Sequence, residues 1–214
     1  MNHSVRLVVL ALCCGSVAAV LSACAPLVIG SAVGGAMVAI DRRTSGTQLE
    51  DQGIELRSAN RLRERLDDRG NISVTSYNRV ALLTGQVPTE ADKLAAEKAV
   101  AGVDNVRNVV NELAVLGTSS LSQQSADTLI TARVKAAMVD AQDLSATAFK
   151  VVTSRGTVYL MGRVTQREAN RATQITRGTL GVQRVVRVLE IVEEQELVKM
   201  APQTIPVKQT VPAN

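Results

Sequence analysis

The sequence predicts an α+β protein made of two tandem α-β-β-α-β domains, each a small three-stranded mixed sheet covered by two helices. Three observations predict it. Val80-Ala81-Leu82-Leu83-Thr84-Gly85-Gln86-Val87 is echoed by Thr157-Val158-Tyr159-Leu160-Met161-Gly162-Arg163-Val164. Downstream, Gly102-Val103-Asp104-Asn105-Val106 is echoed by Gly181-Val182-Gln183-Arg184-Val185. Helical spacing and strand alternation then follow in the same order around both echoes, which is the mark of one unit used twice.

In the first copy, Asp51 opens a helix to Leu66, with Ile54, Leu62 and Leu66 on its apolar side. Ile72-Ser73-Val74-Thr75 alternates as a strand, Tyr77-Asn78-Arg79 turns, and Val80 to Gln86 returns. Thr89, Glu90 and Asp92 open a second helix that runs to Ala101 and stops at Gly102. Val106 to Val115 supplies the third strand. A Gly/Ser/Gln-rich linker covers 117–124. The second copy repeats the order: helix Asp127–Val139, strand Phe149–Thr153, turn Arg155-Gly156, strand Thr157–Arg163, helix Arg167–Leu180 and strand Arg184–Val192. The domains are therefore expected at 49–116 and 125–192. Residues 193–214, with Pro202, Pro206 and Pro212, read as a disordered tail. Gly85, Gly162, Gly102 and Gly181 read as structural, at bends and helix stops.

The N-terminus reads as a signal. Arg6 precedes an apolar run from Leu7 to Val20, too short to span a bilayer comfortably. The run ends in Leu21-Ser22-Ala23-Cys24, which resembles a bacterial lipobox. That resemblance implies removal of residues 1–23, acylation of Cys24 (palmitate among the chains) and, with Ala25 following, sorting to the outer membrane. The simpler alternative is an ordinary signal peptide with Cys24 incidental. Residues 24–48 then form a lipidated N-terminus and tether. Their Pro26–Ile40 stretch is shorter than the ~20 residues of a membrane helix and is broken by Gly30, Gly34 and Gly35.

Composition narrows the functions. Cys13, Cys14 and His3 fall in the signal, so the mature chain keeps one cysteine and no histidine. No disulfide, thiolate metal site or histidine chemistry is expected, and no cofactor. Aromatics are Tyr77, Phe149 and Tyr159, too few for base-stacking surfaces on nucleic acid. The carboxylate pairs Asp67-Asp68 and Asp140/Asp143 sit near helix ends among polar residues, where solvated loops explain them. The reading is non-enzymatic, with no small-molecule substrate. Charge divides the copies: residues 49–116 carry 9 basic and 11 acidic side chains, residues 125–192 carry 10 and 5.

Asp51 and Ile54, Asp127 and Ile130, the run Val158-Tyr159-Leu160-Met161-Gly162-Arg163-Val164 and the two Gly-Val-x-x-Val segments together resemble the BON domain. The resemblance implies the α-β-β-α-β order and a link to membrane or phospholipid attachment in bacteria. Two such domains behind a lipobox are similar to outer-membrane lipoproteins of that family. It implies a periplasm-facing protein that supports envelope integrity and binds anionic phospholipid through the first helix of its second domain.

The residues show an asymmetry of their own. On that helix Ile130, Val134, Ala137 and Met138 form the stripe expected to face the sheet. Leu129, Ala132, Ala136 and Val139 lie opposite, flanked by Arg133 and Lys135, which suits the headgroup boundary of an anionic bilayer. The matching places in the first copy, Gly53, Leu56, Asn60 and Arg63 beside Glu64, are merely solvated. Two occupants of the second-copy face stay open: an anionic phospholipid membrane or the other domain. A protein-interaction scaffold for envelope-assembly proteins is the alternative function, through the acidic first copy or the strand edges.

Overall fold

The computed structural model describes residues 41–67, 69–116 and 121–200. The expected signal, Cys24, the Pro26–Ile40 stretch and the tail beyond residue 200 lie outside the described residues. Domain 1 runs α1 (Ser45–Leu66), β1 (Asn71–Tyr77), β2 (Val80–Val87), α2 (Glu90–Ala101), β3 (Asn108–Asn111) and β4 (Ala114–Val115). Domain 2 runs α3 (Leu121–Asp140), a 3-10 turn Ala146–Ala148, β5 (Phe149–Ser154), β6 (Thr157–Val164), α4 (Gln166–Gly178), β7 (Arg184–Ile191) and α5 (Glu194–Met200).

Each sheet is mixed. A tight hairpin makes β1–β2 and β5–β6 antiparallel, while the helical crossovers bring β3/β4 and β7 back parallel to β2 and β6. The third strand of domain 1 is interrupted between β3 and β4, where one continuous strand is expected from sequence. At the break the Glu112 amide still donates to Leu83 O, while Leu113 turns into the helix-covered core, fully buried. The register is unchanged across the break, Leu83 pairing with Asn111 and Gln86 with Ala114, so the interruption re-aims one side chain without shifting the ladder.

The helices also begin earlier than the aspartates suggest. Thr44 caps α1 by accepting from the Thr47 amide, so residues 45–48 are helix rather than tether. In domain 2, residues 121–124 are helix rather than linker. Asp51 and Asp127 are therefore interior helical residues, and they serve the neighbouring hairpin instead. Asn78 and Arg79 both have positive φ, as do Arg155 and Gly156, the signature of a two-residue hairpin turn. Asp51 accepts from the amides of Asn78 and Arg79, and Asp127 from those of Arg155 and Gly156, all at 2.7–2.8 Å. One carboxylate per copy thus ties the first helix to the first hairpin and offsets the strain of its left-handed turn.

Both faces of the central strands are buried. In β2, Ala81, Leu83 and Val87 pack under the helices of domain 1, and in β6, Val158, Leu160 and Val164 do so in domain 2. The alternate residues Leu82, Tyr159 and Met161 join Tyr77, flanked by Val110, Val152, Val186 and Val188, in a third apolar cluster. The two domains therefore pack sheet against sheet, as a strand period of two requires of apolar residues on both faces.

Polar contacts border this seam. Lys150 Nζ donates to Glu55 (2.8 Å) and to Ser76 O; the Asn78 side chain donates to Glu190, and Arg184 pairs with Glu112. Residues just before α1 strap the domains together. Arg43 pairs with Asp51 at 2.8 Å and lies 4.2 Å from the Tyr77 ring centroid in domain 1, while Arg42 forks onto Glu168 at 2.7 and 2.8 Å in domain 2. Burial by itself would raise the Glu168 carboxyl, but Arg42 and the Thr165 amide outweigh it and hold the group below its ordinary value. Burial likewise opposes Asp51, whose hydrogen bonds from Ser76, the Arg79 and Asn78 amides and Arg43 prevail and lower it.

Carboxyls depressed in the folded state stabilise it fully above their unfolded values, and that contribution disappears as pH falls through the folded values. The thermal midpoint should therefore drop on acidification below about pH 4. Glu168→Gln should start lower at neutral pH and lose less on acidification. A midpoint equally steep in wild type and variant would show that Glu168 does not contribute to the acid sensitivity.

The chain does not become irregular at residue 193. Val192 is buried and its amide donates to Val164 O, and α5 follows, held by Arg163–Glu196 at 2.9 Å and an exposed Arg167–Glu194 contact. Residues 194–200 are thus a helix rather than the start of a disordered tail.

Candidate membrane-contact site

α3 carries four alanines and two leucines, which favour a helix, and its inward stripe is Ile130, Val134 and Met138, all buried in the domain 2 core. Two devices fix its rotation. Asp127 grips the β5–β6 turn, and Thr131 Oγ donates to Thr153 Oγ at 2.7 Å. The opposite arc is consequently held outward. Leu129 is 57 % exposed and Val139 68 %, and Ala132, Arg133, Lys135 and Ala136 are all exposed.

Leu129, Ala132, Ala136 and Val139 cover about 80° of the helical circle at 3.6 residues per turn, with Arg133 on one flank and Lys135 on the other. The structure brings all six sequence-predicted residues onto one open surface, and the domain seam lies elsewhere, on the sheets. Among the described residues neither Arg133 nor Lys135 has an acidic partner; Arg133 reaches only the Leu180 carbonyl, at 3.4 Å. An apolar strip between two unpaired cations can enter a headgroup layer while its charges meet lipid phosphates.

The matching surface of α1 is occupied differently. Arg57 pairs with Glu50 at 2.6 Å and reaches Asp104 O, and Arg61 donates to Gly102 O. Leu56 stands exposed among these polar groups. Domain 1 thus spends Arg57 and Arg61 on its own loop at Gly102–Asp104.

Two further cations of domain 2 have other tasks. Arg163 pairs with Glu190 and Glu196, and Arg155 sits in the hairpin turn. Asp143 is paired with Arg171 at 2.8 Å on the surface. The sheet seam was missed by sequence reasoning, although Val158-Tyr159-Leu160-Met161 carried the signal: an unbroken apolar strand is buried on both faces. No described helix is long and apolar enough to cross a membrane.

Comparison with known proteins fits this architecture. The BON domain family model matches residues 50–117 and 126–193. The chain is 37 % identical to the outer membrane lipoprotein DolP of Haemophilus influenzae over 81 % of its own length and 91 % of that protein's. It is 32 % identical to a 21 kDa hemolysin of Actinobacillus pleuropneumoniae, over 72 % of this chain and 80 % of that one. A solved structure of CdsD, a structural protein of the type III secretion system of Chlamydia trachomatis, aligns at 11 % identity over 72 % of this chain and 99 % of its own. Its TM-score of 0.28 is too low to bear on the fold. Two matched domains and a relative spanning most of the chain show that this protein belongs to the BON-domain family, as a two-domain member similar to an outer-membrane lipoprotein.

Proposed function

We propose that the protein is held at the periplasmic face of the outer membrane by acyl chains on Cys24 and that its second BON domain docks on anionic phospholipid. It supports envelope integrity by binding, without catalysis. The observation that carries this reading is the open outer face of α3: apolar, flanked by Arg133 and Lys135, and left free because the domains pair through their sheets. Each cation near an anionic surface contributes about 1 kcal/mol, and each buried acyl CH₂ about 0.8 kcal/mol. Anchor and face thus act together, the first for attachment and the second for orientation and headgroup choice.

The test uses residues 41–214, which keep both domains and their seam but lack the anchor. Vesicles of phosphatidylcholine with phosphatidylglycerol should co-sediment the protein, and pure phosphatidylcholine should not. Leu129→Glu combined with Arg133→Glu should abolish sedimentation while leaving the melting temperature near wild type. Equal binding to both vesicles, or no effect of the double variant, would count against the reading.

A further inference from the structure

The α4–β7 turn places another apolar side chain beside α3. Leu180 is 76 % exposed, more than Leu129 or Val139. The turn is pressed against the helix. Gly181 has φ +96°, and a Cβ there would come within 2.9 Å of Ile130 Cγ1. Arg133 holds the Leu180 carbonyl. Leu180 therefore sits on the Arg133 flank of the α3 face. Asp140, the last residue of α3, stands seven positions and about 10 Å of helical rise from Arg133, and Asp143 follows it. Arg177, exposed in the last turn of α4, has no acidic partner among the described residues.

The duplication supplies a control within one chain. Gly102-Val103 corresponds to Gly181-Val182, so the place of Leu180 is taken in domain 1 by Ala101. The same turn, braced there by Arg61 on the Gly102 carbonyl, presents a methyl group beside a polar helix. Only the copy with the apolar helix face carries a leucine at this corner, and nothing in the fold of domain 2 covers it.

We propose that the α4–β7 turn is a second membrane-contact element, in which Leu180 enters the acyl boundary of an anionic bilayer and Arg177 meets its phosphates, alongside α3. The proposal rests on the phospholipid reading of α3. The occupant follows from charge and place: the helix presents Arg133 and Lys135 around apolar side chains, Arg177 stands exposed three residues before Leu180, and the chain resembles a lipoprotein of a membrane. Two separate elements define a plane, so the domain would be fixed in orientation rather than free to roll about one helix.

The test uses the full acylated chain in vesicles. Cys24 is blocked by its acyl group, so a new cysteine is the single reactive thiol. An environment-sensitive fluorophore is attached at Leu180→Cys, at Val139→Cys on α3, or at Leu56→Cys on domain 1. With phosphatidylcholine containing phosphatidylglycerol, the probes at 180 and 139 should shift to the blue relative to pure phosphatidylcholine and be quenched by lipid-borne nitroxide. The probe at 56 should not. A shift at 139 with none at 180 overturns this inference and leaves the α3 reading intact. No shift at either position overturns both.

Discussion

Asp51→Ala should cost about 3–5 kcal/mol of stability, the range for breaking a buried charge pair from one side. Its carboxylate is buried and takes four partners: Ser76 Oγ at 2.7 Å, the Asn78 and Arg79 amides at 2.8 Å each, and Arg43 at 2.8 Å. Removal leaves a buried hydroxyl without its acceptor and Arg43 with Asp41 alone. It also leaves two amides exposed in a left-handed turn. The equivalent Asp127→Ala should cost less, about 1–3 kcal/mol, because Asp127 is half-buried and holds two amides without an arginine. Urea denaturation of the two variants checks this. Equal losses would mean that the arginine strap adds nothing to the turn anchor.

Gly85→Ala should be of comparable severity, roughly 2–4 kcal/mol, through strain and overlap together. Gly85 lies in β2 with φ +116°, a region that L side chains rarely enter, and a Cβ would overlap the Asn71 carbonyl on the neighbouring strand. Relief requires opening the β1–β2 ladder at Ile72↔Gly85. Gly162 has the same place in β6 without positive φ, and its Cβ would fall 2.5 Å from Ala148 O. Gly162→Ala should therefore be milder. Thermal melts of the pair should rank them in that order; a Gly85→Ala protein melting with wild type would refute the close-approach argument.

The echo between the copies made the architecture legible because side-chain periodicity reports burial locally. Ile54, Leu62 and Leu66 on α1 and Ile130, Val134 and Met138 on α3 face their sheets as their spacing implies. The outer face of α3 was legible for the same reason. The errors cluster where a residue's partner is distant in sequence. Asp51 and Asp127 look like helix-opening residues, since Asp favours helix starts; a hairpin more than two dozen residues away recruits them instead. Residues 194–200 look like tail because their ion-pair partners, Arg163 and Arg167, lie on another element.

What the sequence determined by itself is the fold of each domain and the chemical contrast between the copies. Both depend on local spacing: apolar residues every three to four positions on helices and every second position on strands. Only the tertiary structure decided which surface of each domain is spent on the other. Periodicity identifies an apolar face but not its occupant, and so left α3 open to lipid or to domain 1. The sheets meet through Tyr77, Leu82, Tyr159 and Met161, and this long-range packing leaves the α3 face and the Leu180 corner to solvent.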